Sequence, residues 1–108
     1  MRKKSFETIM INVSAELLHS AAFNARIRYW GRLETDRAGF LIYETEYLGD
    51  PPHHITPHKV NIDDLARGAA LLAQNHSVHF GYLLSGRADG GTGDLLLQYT
   101  IFCDLKYG

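Results

Sequence analysis

The stretch GDPPHHITPHK, residues 49–59, divides the chain into two parts of different character. It holds all three prolines of the sequence and half of its six histidines. Proline fixes its own backbone and disfavours helical geometry in the residue before it. The stretch therefore indicates an extended connector, with strand-like patterns before it and helical patterns after it.

Before the connector, the sequence predicts strands and one helix. Residues 6–13 (FETIMINV) and 40–48 (FLIYETEYL) are rich in β-branched and aromatic residues, as strands are. ETDRAG, residues 34–39, is typical of a hairpin turn, which makes residues 28–34 the partner of the second strand. Between residues 14 and 27, apolar residues recur at helical spacing behind a serine that can cap the helix.

After the connector, the pattern is helical. Asn61 can cap a first helix, and a short second helix is expected over 77–85. GRADGG, residues 86–91, is typical of a loop. Thr92 is then the expected cap of a final helix over 93–107, whose wide apolar stripe predicts a central place in the core.

Strands first and helices later, without βαβ alternation, predict an α+β fold. We expect a small N-terminal antiparallel sheet of about three strands with one helix, followed by a helical C-terminal half, in a single domain over 1–108. A hydrophobic fraction of 45% and a charged fraction of 21% are ordinary for a soluble globular protein. No apolar run approaches the ~20 residues that would span a bilayer. A soluble, cytoplasmic protein without membrane contact is therefore expected.

The single cysteine, Cys103, excludes an intramolecular disulfide. Its apolar neighbours Ile101, Phe102 and Leu105 predict a buried and unreactive thiol. The net charge of -1 gives no global field that would attract DNA. Cysteine content and charge thus favour neither an oxidising compartment nor a nucleic-acid partner.

Histidines of the connector are candidate metal ligands, because imidazole is a common zinc ligand. The candidates are His53, His54 and His58. Pro57 favours an extended chain, in which His54 and His58 would lie roughly 13 Å apart by strand rise. That separation is too large for both to bind one ion unless another loop closes over it. We therefore favour a structural connector and expect no cofactor.

The segment ARIRYWGR, residues 25–32, is the strongest candidate for a binding surface, because tryptophan, tyrosine and arginine dominate interface hot spots. Arginines alternating with aromatic rings can also neutralise phosphates and stack on bases, which makes a nucleic-acid partner the alternative. Acidic residues follow closely and no nucleic-acid signature occurs, so a protein partner is preferred. The simplest structural interpretation of Tyr29 and Trp30 is that they are core or rim anchors where the helix meets the sheet. The candidate interface residues are Tyr29, Trp30, Arg26, Arg28 and Arg32, and the candidate nucleic-acid residues are Arg26, Arg28, Arg32 and Arg37.

No pattern in the chain indicates an enzyme, and no catalytic residue is expected. Glu44 and Glu46 would lie about 7 Å apart on one strand face, a spacing compatible with paired carboxylates, but such a face is usually solvated. DGGTGD, residues 89–94, lacks the glycine and lysine spacing of a phosphate-binding loop. The serines lie in no nucleophile elbow.

Three blocks together resemble a diffuse group of small proteins encoded by bacteriophages and prophages. The blocks are the Tyr29-Trp30 pair, VNIDDLARGAALLAQ at 60–74, and TGDLLLQYTIFCDLKYG at 92–108. Where the group's pattern has threonine-proline at the helix entry, this chain has Asn61-Ile62. The positions that match are Tyr29, Trp30, Leu65, Arg67, Gly68, Thr92, Asp94, Gln98, Tyr107 and Gly108.

The resemblance implies a viral accessory protein that acts inside a bacterial cell. Combined with the absence of catalytic motifs, it leads us to expect a non-enzymatic protein that binds a host or phage macromolecule. An inhibitor of a bacterial defence system, such as an anti-CRISPR protein, is a specific form of this expectation. A nucleic-acid-binding module is the alternative, a metal protein with a histidine loop is the third hypothesis, and a homodimer is compatible with the aromatic content.

Overall fold

The computed structural model describes residues 13–45 and 56–108. Three strands and four helices follow one another along the described chain. They are α1 (Ala15–Phe23), β1 (Gly31–Asp36), β2 (Gly39–Glu44), β3 (His58–Val60), α2 (Ile62–Asn75), α3 (Ser77–Leu84) and α4 (Gly90–Phe102). The expected α+β fold with a helical C-terminal half is confirmed. Within the described ranges, no helix combines the length and apolar character that crossing a membrane requires.

The sheet is antiparallel, with β2 between β1 and β3. A two-residue turn joins β1 to β2 inside the predicted ETDRAG stretch, and Asp36 pairs with Gly39 across it. β1 begins at Gly31 rather than at 28, because the backbone N–H of Trp30 and that of Gly31 both donate to the carbonyl of Ile27. The predicted strand over 6–13 falls almost wholly on residues 6–12, which lie outside the described residues. The third strand of the described sheet is β3.

Helix α1 begins where the sequence predicts, because Ser14 Oγ accepts a hydrogen bond of 3.2 Å from the backbone N–H of Leu17. It ends at Phe23, four residues before the predicted end. Asn24 closes it by donating from its backbone and from its side chain to the carbonyl of Ser20. The backbone N–H of Arg26 then donates to Gly90, which carries the chain towards α4.

Helix α2 starts with a complete capping box. Asn61 Oδ1 accepts from the backbone N–H of Asp64, and the Asp64 carboxylate accepts from the backbone N–H of Asn61, both at 2.9 Å. The predicted cap at Asn61 is confirmed. Both bonds are local in sequence, which is why the sequence sufficed to place this helix end.

Helix α4 starts three residues earlier than predicted. Asp89, and not Thr92, is its cap, and the Asp89 carboxylate accepts from the backbone N–H of Thr92 at 2.8 Å. The helix ends at Phe102 instead of at 107, because Cys103 adopts a left-handed conformation with φ 61°. The expected burial of Cys103 is wrong, since its side chain is exposed. Residues 103–108, the docked segment, leave the helix and fold back onto the molecule.

One hydrophobic cluster unites the sheet and all four helices. Helix α4 contacts the other three helices and β3, so its predicted central place is confirmed. Because α4 has neighbours on several sides, its buried residues are spread around the helix and do not form one narrow apolar stripe. The largest fully buried apolar side chains are Trp30, Phe40, Ile42, Leu65, Leu72, Leu83, Leu96 and Leu97.

Candidate functional site

Trp30, one of the expected interface residues, is buried, with only 2% of its surface exposed. Its indole Nε1–H donates to Asp94 Oδ1 at 2.8 Å, and its ring stacks on Tyr107 with centroids 5.0 Å apart. The Trp30 ring therefore packs beneath the surface and is not accessible to a partner. Trp30 is thus a core anchor and not an exposed residue of the interface, as the interface hypothesis required of it.

Tyr29 lies on the other side of the same carboxylate and is 60% exposed. Its hydroxyl donates to Asp94 Oδ2, so one aspartate from α4 fixes both aromatic residues. Burial of the hydroxyl, together with the hydrogen bond to Asp94 and the charge of that carboxylate, raises the pKa of Tyr29 to about 12. Tyr29 thus presents an exposed ring whose polar end is held by the protein.

The expected arginines Arg26, Arg28 and Arg32 are exposed and lie within three positions of Tyr29 in the chain. The stem of Arg26 covers the start of α4 so closely that a Cβ added at Gly90 would meet its Cγ at 2.3 Å. Arg32 is paired with Glu34 at 3.3 Å, and its guanidinium lies 4.6 Å from the centre of the Tyr43 ring. We call Arg26, Arg28, Tyr29 and Arg32 the arginine–tyrosine surface.

Arg37 does not belong to this surface. It lies in the hairpin turn, at the opposite end of β1 from Arg32. Arg37 is five positions beyond Arg32, or roughly 16 Å away by strand rise. The structure therefore divides the four arginines proposed for nucleic-acid contact into a group of three and one distant member.

Gln98 supports the site from below and is 1% exposed. Its Nε2 donates to Asp94 Oδ1 at 2.9 Å and to the carbonyl of Tyr107 at 3.1 Å. Its Oε1 accepts from the backbone N–H groups of Lys106 and Tyr107, each at 2.8 Å. One buried amide thus binds the docked segment and orients the aspartate that holds the aromatic pair.

Glu44 is buried, which corrects its expected place on a solvated strand face. It accepts from Lys106 Nζ at 2.7 Å and from the Tyr107 hydroxyl, and His58 Nε2 lies 3.1 Å from its other oxygen. Burial alone would raise the pKa of Glu44, but the hydrogen bonds from Lys106, Tyr107 and His58 and the lysine charge lower it to about 2. The carboxylate therefore ties the docked segment to β2 and β3. Glu46, its expected partner, lies outside the described residues.

Of the three histidines proposed as metal ligands, the structure describes only His58, because His53 and His54 lie outside the described residues. His58 is in β3, extended as expected, with its ring engaged by Glu44 and edge-on to Phe102. In the parts of the chain that the structure describes, no group of three or more histidine, cysteine, aspartate or glutamate side chains could hold a metal ion.

A second polar cluster links α3 to the start of α4. His79 Nδ1 lies 2.8 Å from the Thr92 hydroxyl, which lies 3.1 Å from the Asp89 carboxylate. The pKa of Asp89 is lowered, chiefly by the backbone and hydroxyl hydrogen bonds from Thr92. Because the Thr92 side chain is completely buried, no substrate can reach its hydroxyl. This chain of three groups holds the two helices together.

A shallow depression lies between the hairpin turn, α1 and the start of α2. Its volume is about 200 Å³, below the ~300–1,000 Å³ typical of small-molecule sites. Its lining includes His19, Arg37, Phe40, Ile62 and Leu65.

Asp94, Gln98, Glu44, Lys106 and Tyr107 shape this site, and none of them was predicted from residue chemistry to do so. One signal was visible, since Gln98 is a polar residue inside the apolar run LLLQYTIF. A polar side chain in such a run is expected to have buried partners. Comparisons of the chain with protein-family models, with curated protein sequences and with solved structures found no match.

Proposed function

We propose that this chain is a non-enzymatic binding protein that acts on a macromolecule through the arginine–tyrosine surface. The observation that carries the proposal is the exposed Tyr29 ring, held at its hydroxyl by Asp94 and accompanied by exposed arginines within three positions in the chain. Tyrosine and arginine are residue types in which interface hot spots are enriched. The surface combines an aromatic anchor with cations that can bind carboxylates or backbone carbonyls of a partner.

Rigidity of the anchor favours a role in binding. Tyr29 follows the buried segment at Ile27 and precedes the buried Trp30, and both aromatic residues share the Asp94 carboxylate. A side chain that is already ordered loses little conformational entropy when a partner covers it. Affinity at this surface therefore does not require a prior rearrangement of Tyr29.

Charge within the surface favours a protein partner over a nucleic acid. Glu34 pairs with Arg32, and Asp94 lies against Tyr29, so two carboxylates accompany the cations. A phosphate backbone would meet both of these negative groups, whereas a protein surface of mixed charge can complement them. The resemblance to phage-encoded proteins supports a host or phage partner in the bacterial cytoplasm, with inhibition of a bacterial defence system as the specific form.

The test is capture of partners from a bacterial lysate by the immobilised protein and by two charge-reversal variants. Arg28→Glu changes an exposed arginine of the surface, and Arg37→Glu makes the same charge change at the distant hairpin turn. We expect Arg28→Glu to lower capture at least tenfold and Arg37→Glu to retain it, with both variants as stable to heat as the parent. Equal capture by the two variants would place the binding surface elsewhere.

Nucleic acid is the second candidate partner. Within residues 13–45 and 56–108, no carboxylate forms an ion pair with Arg26, Arg28 or Arg37, so these three cations are available to phosphates. This candidate predicts binding to DNA or RNA that weakens steeply with salt. It also predicts similar losses for Arg28→Glu and Arg37→Glu, unlike the protein-partner proposal. A flat isotherm at low salt would exclude it.

A further inference from the structure

A second surface of the molecule carries no formal charge. Residues 68–86, which cover the second half of α2 and all of α3, contain no Asp, Glu, Lys or Arg. The two helices follow one another in the chain and pack against each other, so their outward sides adjoin. Exposed polar residues on it, such as Gln74 and Asn75, are uncharged. We call this area the neutral face.

Large apolar side chains are exposed on the α3 part of the neutral face. Phe80 and Leu83 point into the core, and the opposite side of the helix carries Val78, which is 64% exposed, and Tyr82, which is 40% exposed. These two residues lie one helical turn apart and adjoin each other on the surface. Exposed apolar groups clustered in this way are typical of a contact surface.

Gly81 adjoins them on the outward side of α3, and no packing contact inside the molecule requires a glycine there. A Cβ added there would meet nothing within 4 Å, although glycine weakens a helix interior. The buried glycines Gly68 and Gly93 differ, because a Cβ at either would collide with a neighbouring helix. A glycine on an outward helix face allows another backbone to approach closely, which gives Gly81 a role outside its own chain.

We propose that two copies of this chain associate through the neutral face, with α3 crossing its symmetry mate at Gly81. In a two-fold contact, each residue type meets a copy of the same surface, so a charged patch would face its own charge. The neutral face avoids this repulsion. The net charge of -1 also leaves little long-range repulsion between copies. The contact is distinct from the arginine–tyrosine surface and does not depend on the function proposed for it.

The size of the face determines the strength of the contact. An eight-residue helix is only about 12 Å long, whereas stable interfaces bury about 800 Å² on each partner. Helix α3 therefore supplies the centre of the contact and the uncharged end of α2 its margin. A weak dimer that dissociates on dilution is the expected behaviour.

Sedimentation velocity between about 10 µM and about 1 mM covers the range of a weak dimer. Reductant is present throughout, because the exposed Cys103 could otherwise form a disulfide between copies. The parent protein is expected to pass from monomer to dimer, while Gly81→Lys and Val78→Glu remain monomers. Gly81→Lys is expected to fold as the parent does, since a Cβ added there meets nothing within 4 Å and lysine has a higher helix propensity than glycine. Phe23→Ser, which removes an exposed apolar ring from α1, is the matched control and should still dimerise.

Cross-linking locates the crossing point. In a Cys103→Ser background, Gly81→Cys is expected to form a disulfide-linked dimer under mild oxidation at least tenfold faster than Phe23→Cys. A parent protein that stays monomeric at about 1 mM would overturn the proposal. A dimer that persists in Gly81→Lys and Val78→Glu, or equal cross-linking at the two cysteine positions, would also overturn it.

Discussion

Glu44 alternates with Phe40 and Ile42 along β2, so the period of two that buries those side chains also buries a carboxylate. A buried carboxylate without partners would be costly. Lys106 and Tyr107, both from the docked segment, supply hydrogen bonds to one oxygen, and His58 lies beside the other. Glu44 is thus a stabilising residue whose role depends on groups distant in sequence.

Glu44→Gln is expected to lower the free energy of unfolding at pH 7 by about 2–3 kcal/mol. A pKa of about 2 in the folded protein, against an ordinary value of 4.5, corresponds to about 3 kcal/mol in favour of folding. Denaturant unfolding measures the change. Glu34→Gln is the matched control, because Glu34 forms an exposed ion pair with Arg32 and such pairs contribute about 0–1 kcal/mol. Equal losses in the two variants would contradict this role of Glu44.

The Glu44 contribution should also depend on pH. Because the pKa of Glu44 is lowered in the folded state, its stabilisation is fully present above pH 4.5 and is lost as pH falls towards 2. The stability difference between the parent protein and Glu44→Gln should therefore shrink between pH 4.5 and 2. Unfolding curves recorded across this range test the sign, and a difference that grew on acidification would contradict it.

At the scale of elements, close helix packing explains why glycines occupy two helix interiors. A Cβ at Gly93 would lie 2.3 Å from the carbonyl oxygen of Ala21 and 2.7 Å from Cα of Ala25. These are backbone atoms of α1 and the segment after it, so they cannot move aside cheaply. Gly68 has the same function where α2 crosses α4 at Thr100. The two crossings fix α4 between its neighbours.

Gly93→Ala and Gly81→Ala form a matched pair of substitutions with opposite expected effects. Gly93→Ala should destabilise the protein by about 1–3 kcal/mol, since overpacking forces α1 away from α4. Gly81→Ala should stabilise it by about 0.5–1 kcal/mol, because alanine favours a helix and meets nothing there. Thermal unfolding at low protein concentration compares them. Stabilisation by both would show that the α1–α4 contact is looser than described.

At the scale of the whole molecule, the docked segment joins the sheet to α4. Gln98 binds its backbone, Glu44 binds two of its side chains, and Tyr107 stacks on Trp30. The two contacts of Glu44, with Lys106 and Tyr107, join residues more than sixty positions apart in the chain. The segment therefore closes the fold over the buried tryptophan and supports the surface that carries Tyr29.

Tyr107→Ala should uncover Trp30, the single tryptophan of the chain, and shift its fluorescence emission to longer wavelength. Loss of the stacked ring and of the hydrogen bond to Glu44 is expected to cost about 2–4 kcal/mol. Tyr82→Ala removes an exposed tyrosine from α3 and is the control, with unchanged emission expected. An unshifted spectrum in Tyr107→Ala would mean that Trp30 remains covered without the docked segment.

Local features of the fold were predictable, because their causes lie within a few residues. The caps at Ser14 and Asn61 and the turn before Gly39 depend on hydrogen bonds and backbone preferences of adjacent residues. The start of α4 was not predictable from the sequence, since Asp89 and Thr92 are both good caps. The Thr92 hydroxyl is hydrogen-bonded to His79 of α3, a contact that sequence spacing does not reveal.

The sequence by itself determined the α+β class, the hairpin and most helix starts. Periodicity and capping depend on residues within one or two turns of each other, so both can be recognised in the sequence. Only the tertiary structure decided that Trp30 and Glu44 are buried, that Cys103 is exposed and that Gln98 organises the site. Those outcomes depend on where the docked segment contacts the rest of the molecule, and a contact across sixty residues leaves no periodic trace in the sequence.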